Sequence, residues 1–119
     1  MIQGVGIDIE DIHRIQKLSQ HPAFLKKIFT GREIKHCQKF ENAHERFAVR
    51  FAAKEAFFKA SPDKKISWHD VEIQNKKDGS PYYVIHDSFI AKKYKTYLSL
   101  SHTEDKAIAI CVLTAPENC

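Results

Sequence analysis

The 119-residue sequence has no apolar run long enough to cross a bilayer and no basic, apolar leader at its start. A membrane span and a secretory signal are therefore not expected. It has no internal repeat, low-complexity tract or long linker. Its three cysteines, Cys37, Cys111 and Cys119, are far apart and form no Cys-x-x-Cys unit. An odd count at that spacing fits neither a disulfide framework nor a zinc site. Cys111 lies in an apolar run and reads as core, and reducing cytosol is the expected compartment.

What is present describes an ordinary globular chain. Apolar residues make up 43% and charged residues 29%. The length suits one domain, residues 1–119, able to bury its own core. The formal net charge is +4 and the isoelectric point is about 9.0. That excess favours an anionic partner, whether nucleotide, nucleic acid or acidic protein, without choosing among them.

Residues 2–9 alternate as a strand, with Val5, Ile7 and Ile9 on one side and Gly4, Gly6 and Asp8 on the other. Residues 11–19 carry Ile12, Ile15 and Leu18 at helical spacing. Pro22 opens a further turn bearing Phe24, Leu25 and Ile28. Thr30 with Glu33, and Asn42 with Glu45, have capping-box spacing, the second ahead of a long helix over 44–60. Residues 61–67 are a polar connection. Strands over 71–74 and 82–85 flank a Lys77-Asp78-Gly79 turn, with Pro81 at the edge. A short helix over 88–95 precedes a hairpin formed by 97–101 and 107–113. The fold class expected is α+β, a mainly antiparallel sheet against a long central helix and shorter helices.

On a helical wheel of residues 46–59, Phe47, Phe51 and Phe58 cluster, and Ala48, Val49, Ala52, Ala53 and Ala56 widen the apolar arc. Arg46, Arg50 and Lys54 share the remaining side with Phe57. Glu55 and Lys59 fall inside the apolar arc, where unpaired charge is costly. A bare Glu55–Lys59 pair at i, i+4 would contribute only about 0.2–0.5 kcal/mol. The functional alternative is a cleft in which Glu55 holds a cation and Lys59 an anion. Asp8, near a strand end beside glycines, supplies a second carboxylate. Two carboxylates without a Cys/His cluster suit a hard, oxygen-preferring ion such as magnesium, with phosphates and water completing the shell. His102, at a strand-to-turn junction, reads either as a solvated turn residue or as a base or phosphate donor.

These residues resemble the holo-acyl-carrier-protein synthase family. Gly4-Val5-Gly6-Ile7-Asp8-Ile9 is similar to its amino-terminal GIDI strand, and Arg50-Phe51-Ala52-Ala53-Lys54-Glu55-Ala56 with Lys59 to its RFAAKEAxxK helix. Ser99-Leu100-Ser101-His102-Thr103 is similar to its SxSHT strand end, and Gly79-Ser80-Pro81 to a GxP turn. The blocks occur in family order across nearly the whole chain. The resemblance implies a 4′-phosphopantetheinyl transferase that moves the phosphopantetheine arm of coenzyme A to a serine of acyl carrier protein, releasing 3′,5′-ADP, in support of fatty acid biosynthesis. It implies magnesium on Asp8 and Glu55, with Lys59 and His102 on coenzyme phosphates and Ser101 beside them. It also implies Arg50 on the 3′-phosphate, and Gly79 and Pro81 near the adenine. The proton acceptor is left open among Glu55, a metal-bound water and His102. Arg14 and Lys17, with Lys26 and Lys27, offer a basic dock for the acidic carrier. Single-domain members form cytoplasmic homotrimers with sites between subunits.

Two departures stand out. Ser61-Pro62-Asp63-Lys64-Lys65 replaces a Gly-Thr-Gly loop, and Val49 replaces a glycine before the signature arginine. Two rivals remain: an idle relative that only binds coenzyme A or carrier, and a small basic nucleic-acid-binding domain. The second would need exposed aromatics among the basic residues, whereas the aromatics fall on apolar faces.

Overall fold

The computed structural model describes residues 1–116, so Cys119 lies outside the described residues. Strand β1 (Ile2–Asp11) leads into helix α1 (Ile12–Ser19), α2 (Pro22–Ile28), α3 (Gly31–Cys37) and the long α4 (Ala43–Ala60). A 3-10 turn (Trp68–Asp70), β2 (Val71–Asn75), β3 (Pro81–Ile85), α5 (Ser88–Lys93), β4 (Lys95–His102) and β5 (Lys106–Thr114) follow. The antiparallel strands form two sheets, β1-β5-β4 and the hairpin β2-β3, rather than one. The α+β expectation holds.

Local chemistry explains the helix starts. Asp11 caps α1 by accepting from the His13 and Arg14 amides. Thr30 and Glu33 form the expected reciprocal box on α3. The box expected at Asn42 does not form: its backbone is at φ −91°, ψ 40°, and its side-chain amide bonds Glu45 Oε2 instead of the helix amides. Helix α5 ends at Lys93, two residues early, because Tyr94 is extended and starts the turn into β4.

Helix α4 lies across the β1-β5-β4 sheet on its alanine face. Gly4 and Gly6 permit this close approach. A Cβ on Gly4 would overlap the Ala60 carbonyl, and one on Gly6 the Ala56 carbonyl. The core splits into two clusters along α4. One gathers Phe57, Val71, Ile73, Tyr83 and Leu113; the other gathers Ile12, Ile15, Phe29, Phe47 and Phe51.

The wheel placed the buried charges wrongly. Lys59 is accessible and Glu55 half-buried, whereas Arg50 and Lys54, assigned to the polar side, are buried. The reason is tertiary: α3 and the β2-β3 hairpin cover the flank that a lone helix would leave to water. Lys54 is fully satisfied there. Its Nζ meets Glu33 Oε1 at 2.8 Å and donates to the carbonyls of Trp68 (2.9 Å) and Val71 (2.7 Å). Glu33 Oε2 accepts from the Ile73 amide at 2.9 Å.

Candidate active site

Pleating sends Asp8 and Glu10 to the inner face of β1, toward α4, while Val5, Ile7 and Ile9 face outward. Asp8 is 6% exposed. Its Oδ1 accepts from Lys59 Nζ at 2.9 Å, and its Oδ2 is buried without a hydrogen-bond partner among the described residues. Lys59 also donates to the Ile7 carbonyl at 3.2 Å. The bond to Asp8 raises the Lys59 pKa. Burial, then the negative charge of Asp8, raises that of Glu55, with Lys59 and Arg14 opposing.

Glu10 belongs to the same cluster, and the sequence reading missed it. Burial and its contact with Asp8 push its carboxyl up to about 8, while Arg14, 3.1 Å away, pulls it down. Its i+2 spacing from Asp8 was the available signal, but the strand was expected to end at Ile9.

A second group sits on the opposite flank of α4. Arg50 and Glu55 are five residues apart, so they point about 140° from each other. Arg50 shares a cavity of about 160 Å³ with Arg46, Asn75 and His102. His102 Nδ1 lies 3.2 Å from the Thr103 carbonyl and must donate to it, which leaves Nε2 as acceptor in the neutral ring. Arg50 is 3% exposed; its guanidinium bonds Asn75 Oδ1, and its Nε has no partner among the described residues.

The other expected positions divide. Gly79, at φ +92°, and Pro81 lie in and after the β2-β3 turn, close to Asn75. Ser101 pairs with Ile108 on the sheet's outer face, away from the cavity that His102 lines. Arg14 and Lys17 are exposed on α1, as are Lys26 and Lys27 on α2. Lys64 is committed to the end of α4, donating to the carbonyls of Phe58 and Ser61.

The chemistry of the first cluster is that of a hard-cation and phosphate site: oxygen donors on one side, an ammonium on the other. Among the described residues no set of three or more His, Cys, Asp or Glu side chains is arranged as a complete metal cage. Two carboxylates with an orphaned oxygen fit an ion that takes its remaining ligands from substrate and water.

Residues 4–111 match the 4′-phosphopantetheinyl transferase superfamily. A holo-[acyl-carrier-protein] synthase from Koribacter versatilis is 42% identical over 95% of this chain and 98% of its own. One from Wolbachia pipientis is also 42% identical, over 95% and 98%. The crystal structure of a holo-(acyl-carrier-protein) synthase from Bacillus anthracis, in complex with CoA (3′,5′-ADP), superposes with a TM-score of 0.87 at 33% identity, covering 98% of this chain and 99% of that one. Sequence and fold agree, and the chain belongs to the holo-acyl-carrier-protein synthase family of 4′-phosphopantetheinyl transferases.

Proposed function

We propose that this chain transfers the 4′-phosphopantetheine group of coenzyme A to a serine of apo acyl carrier protein, giving holo carrier and 3′,5′-ADP, in support of fatty acid biosynthesis. The observation that carries the reading is the Asp8–Glu55–Lys59 cluster, in which a buried carboxylate oxygen lacks a partner while an ammonium stands beside it.

Asp8 and Glu55 are the residues that would hold magnesium. The bound ion would neutralise charge on the coenzyme pyrophosphate. Lys59 would meet a phosphate oxygen as a point charge. On the other flank Arg50 and His102 would contact coenzyme phosphate, with Gly79 and Pro81 near the adenine. Arg14 and Lys17 would receive the acidic carrier, and Arg14 already touches the carboxylate cluster through Glu10.

Asp8 and Lys59 meet on one flank of α4 and Arg50 and His102 line a cavity on the other, which supports a homotrimer whose sites are completed by a neighbour. The outer face of the β1-β5-β4 sheet supports it further. Val5, Ile7, Ile9, Tyr97 and Ile110 leave a contiguous apolar surface exposed, with Ile7 61% accessible. Cys37 and Cys111 are free and buried, which suits the cytoplasm. No helix among the described residues is long and apolar enough to cross a membrane.

The test is the intact mass of apo acyl carrier protein after incubation with this protein, coenzyme A and magnesium. The carrier should gain the phosphopantetheine arm, and stay apo with EDTA or with Glu55→Gln. No gain with several carriers and folded protein would refute the transferase reading in favour of a binding protein.

A further inference from the structure

Asn75 is the last residue of β2, paired in register with Pro81 across the hairpin. Its two side-chain atoms do different things. Oδ1 accepts from the Arg50 guanidinium, and Nδ2 donates to the Gly79 carbonyl at 3.0 Å. The reverse orientation would set an amide NH2 against a guanidinium and an oxygen against a carbonyl, so both neighbours fix the same rotamer. The turn it grips is itself ordered. The Gly79 amide donates to the Lys76 carbonyl, the Lys76 amide to the Ser80 carbonyl, and Ser80 bonds Asp78 through both its amide and its hydroxyl.

Arg50 needs such a clamp. Among the described residues its other bond is a long one, 3.4 Å, to the Arg46 carbonyl of its own helix, and no carboxylate there is paired with it. Arg50 and Asn75 together line the cavity that holds His102 and a second one, about 180 Å³, that holds Arg32 and His36. The pair is the wall between them. An unneutralised, buried guanidinium held at a cavity wall is arranged to receive an anion.

We propose that Asn75 is a positioning residue for coenzyme selection, locking Arg50 to the Gly79 turn so that a phosphate charge and the base edge of the nucleotide are read as one unit. This rests on the transferase reading, which places the 3′-phosphate and adenine on that flank. Asn75 touches neither reacting atom; it acts through Arg50 and the turn.

The experiment is calorimetric binding of 3′,5′-ADP and of 5′-AMP, which lacks the 3′-phosphate, to the full chain and to Asn75→Ala, Asn75→Asp, Arg50→Ala and the Asn75→Ala/Arg50→Ala double variant. Asn75 is exposed, so Asn75→Ala should fold normally. Loss of one charge-assisted bond should weaken 3′,5′-ADP about tenfold and 5′-AMP far less. Asn75→Asp, which adds a charge against the ligand, should weaken 3′,5′-ADP more. In the Arg50→Ala background Asn75→Ala should add nothing. In turnover, KM for coenzyme A should rise by a similar factor with kcat within about twofold. Equal loss for both nucleotides, wild-type binding by Asn75→Ala, or an undiminished effect without Arg50 would overturn the proposal. A wild-type chain that binds neither nucleotide would instead refute the transferase reading itself, and this inference with it.

Discussion

Lys59 Nζ stands 2.9 Å from Asp8 Oδ1, although Glu55 is its i, i+4 neighbour on the same helix. The ammonium therefore occupies a position a cation would claim. Lys59→Ala should then move two quantities in opposite directions. Binding of Mn2+ to the free chain, followed by electron paramagnetic resonance, should tighten several-fold because a competing charge is gone. Transfer to carrier protein should fall by about 10²-fold in kcat/KM because a phosphate contact is lost. Weakened metal binding in this variant would contradict the arrangement.

The crowded carboxylates predict a pH signature. Glu10 and Glu55 both carry raised pKa values, so the folded chain holds protons that the unfolded chain releases. Their contribution to the stability of the metal-free chain should fall as pH rises from 4.5 toward about 8, opposed near neutrality by His36, whose lowered pKa acts with the other sign. Glu10→Gln and Glu55→Gln should each melt higher than wild type at pH 8, and magnesium should flatten the wild-type slope. Thermal melts at several pH values check this; a wild-type slope of the opposite sign would exclude it.

Gly6 and Gly31 make a paired test of backbone approach. A Cβ on Gly6 meets the Ala56 carbonyl and, at 2.7 Å, the Ala60 amide, and neither can rotate away. Gly6→Ala should cost about 2–4 kcal/mol and lower transfer, since it pries α4 from the strand that carries Asp8. Gly31, at the start of α3, has nothing among the described residues within 4 Å of such a Cβ and is not at positive φ. Gly31→Ala should be neutral or stabilising by up to about 1 kcal/mol. Denaturant melts of both variants suffice.

How legible this was in the sequence follows from how local each cause is. Alternation in β1, the Thr30–Glu33 box and the Lys77-Asp78-Gly79 turn are properties of a few adjacent residues, and they form as expected. Asp8 was visible because glycines beside a strand carboxylate mark a close approach. The buried Lys54 was not, because its partner Glu33 lies on another helix and its carbonyl acceptors lie in the 3-10 turn and β2. A wheel assigns one helix two sides, and this helix is packed on more than one. Asn75 was invisible for the same reason: its partners are 25 residues before it and 4 after.

The Glu33–Lys54 pair, with both side chains at 0% exposure, gives a stability cycle. Lys54→Met leaves a buried carboxylate beside an apolar chain and should cost about 3–5 kcal/mol. Adding Glu33→Gln should recover part of that loss, since the amide oxygen can still accept from a backbone donor while the stranded charge is removed. Equilibrium unfolding of the two single variants and the double gives the coupling energy, and strict additivity would show that the pair is not what holds α3 to α4.

The outer sheet face decides whether the chain works alone. Ile7 and Ile110 pair directly across β1 and β5, and both are exposed. A glutamate at such a position is harmless to a monomer, whose outer face already meets water, and severe to a subunit interface, where it would be desolvated without a partner. Ile7→Glu should therefore leave the circular dichroism spectrum and the Mn2+ affinity unchanged while reducing the mass measured by light scattering from that of the proposed trimer to that of one chain. Transfer activity should vanish with the assembly, because Asp8 and Glu55 lie on one flank of α4 and Arg50 and His102 on the other. A wild-type chain that is monomeric and active would break this link, and would require the coenzyme to reach both flanks within one subunit.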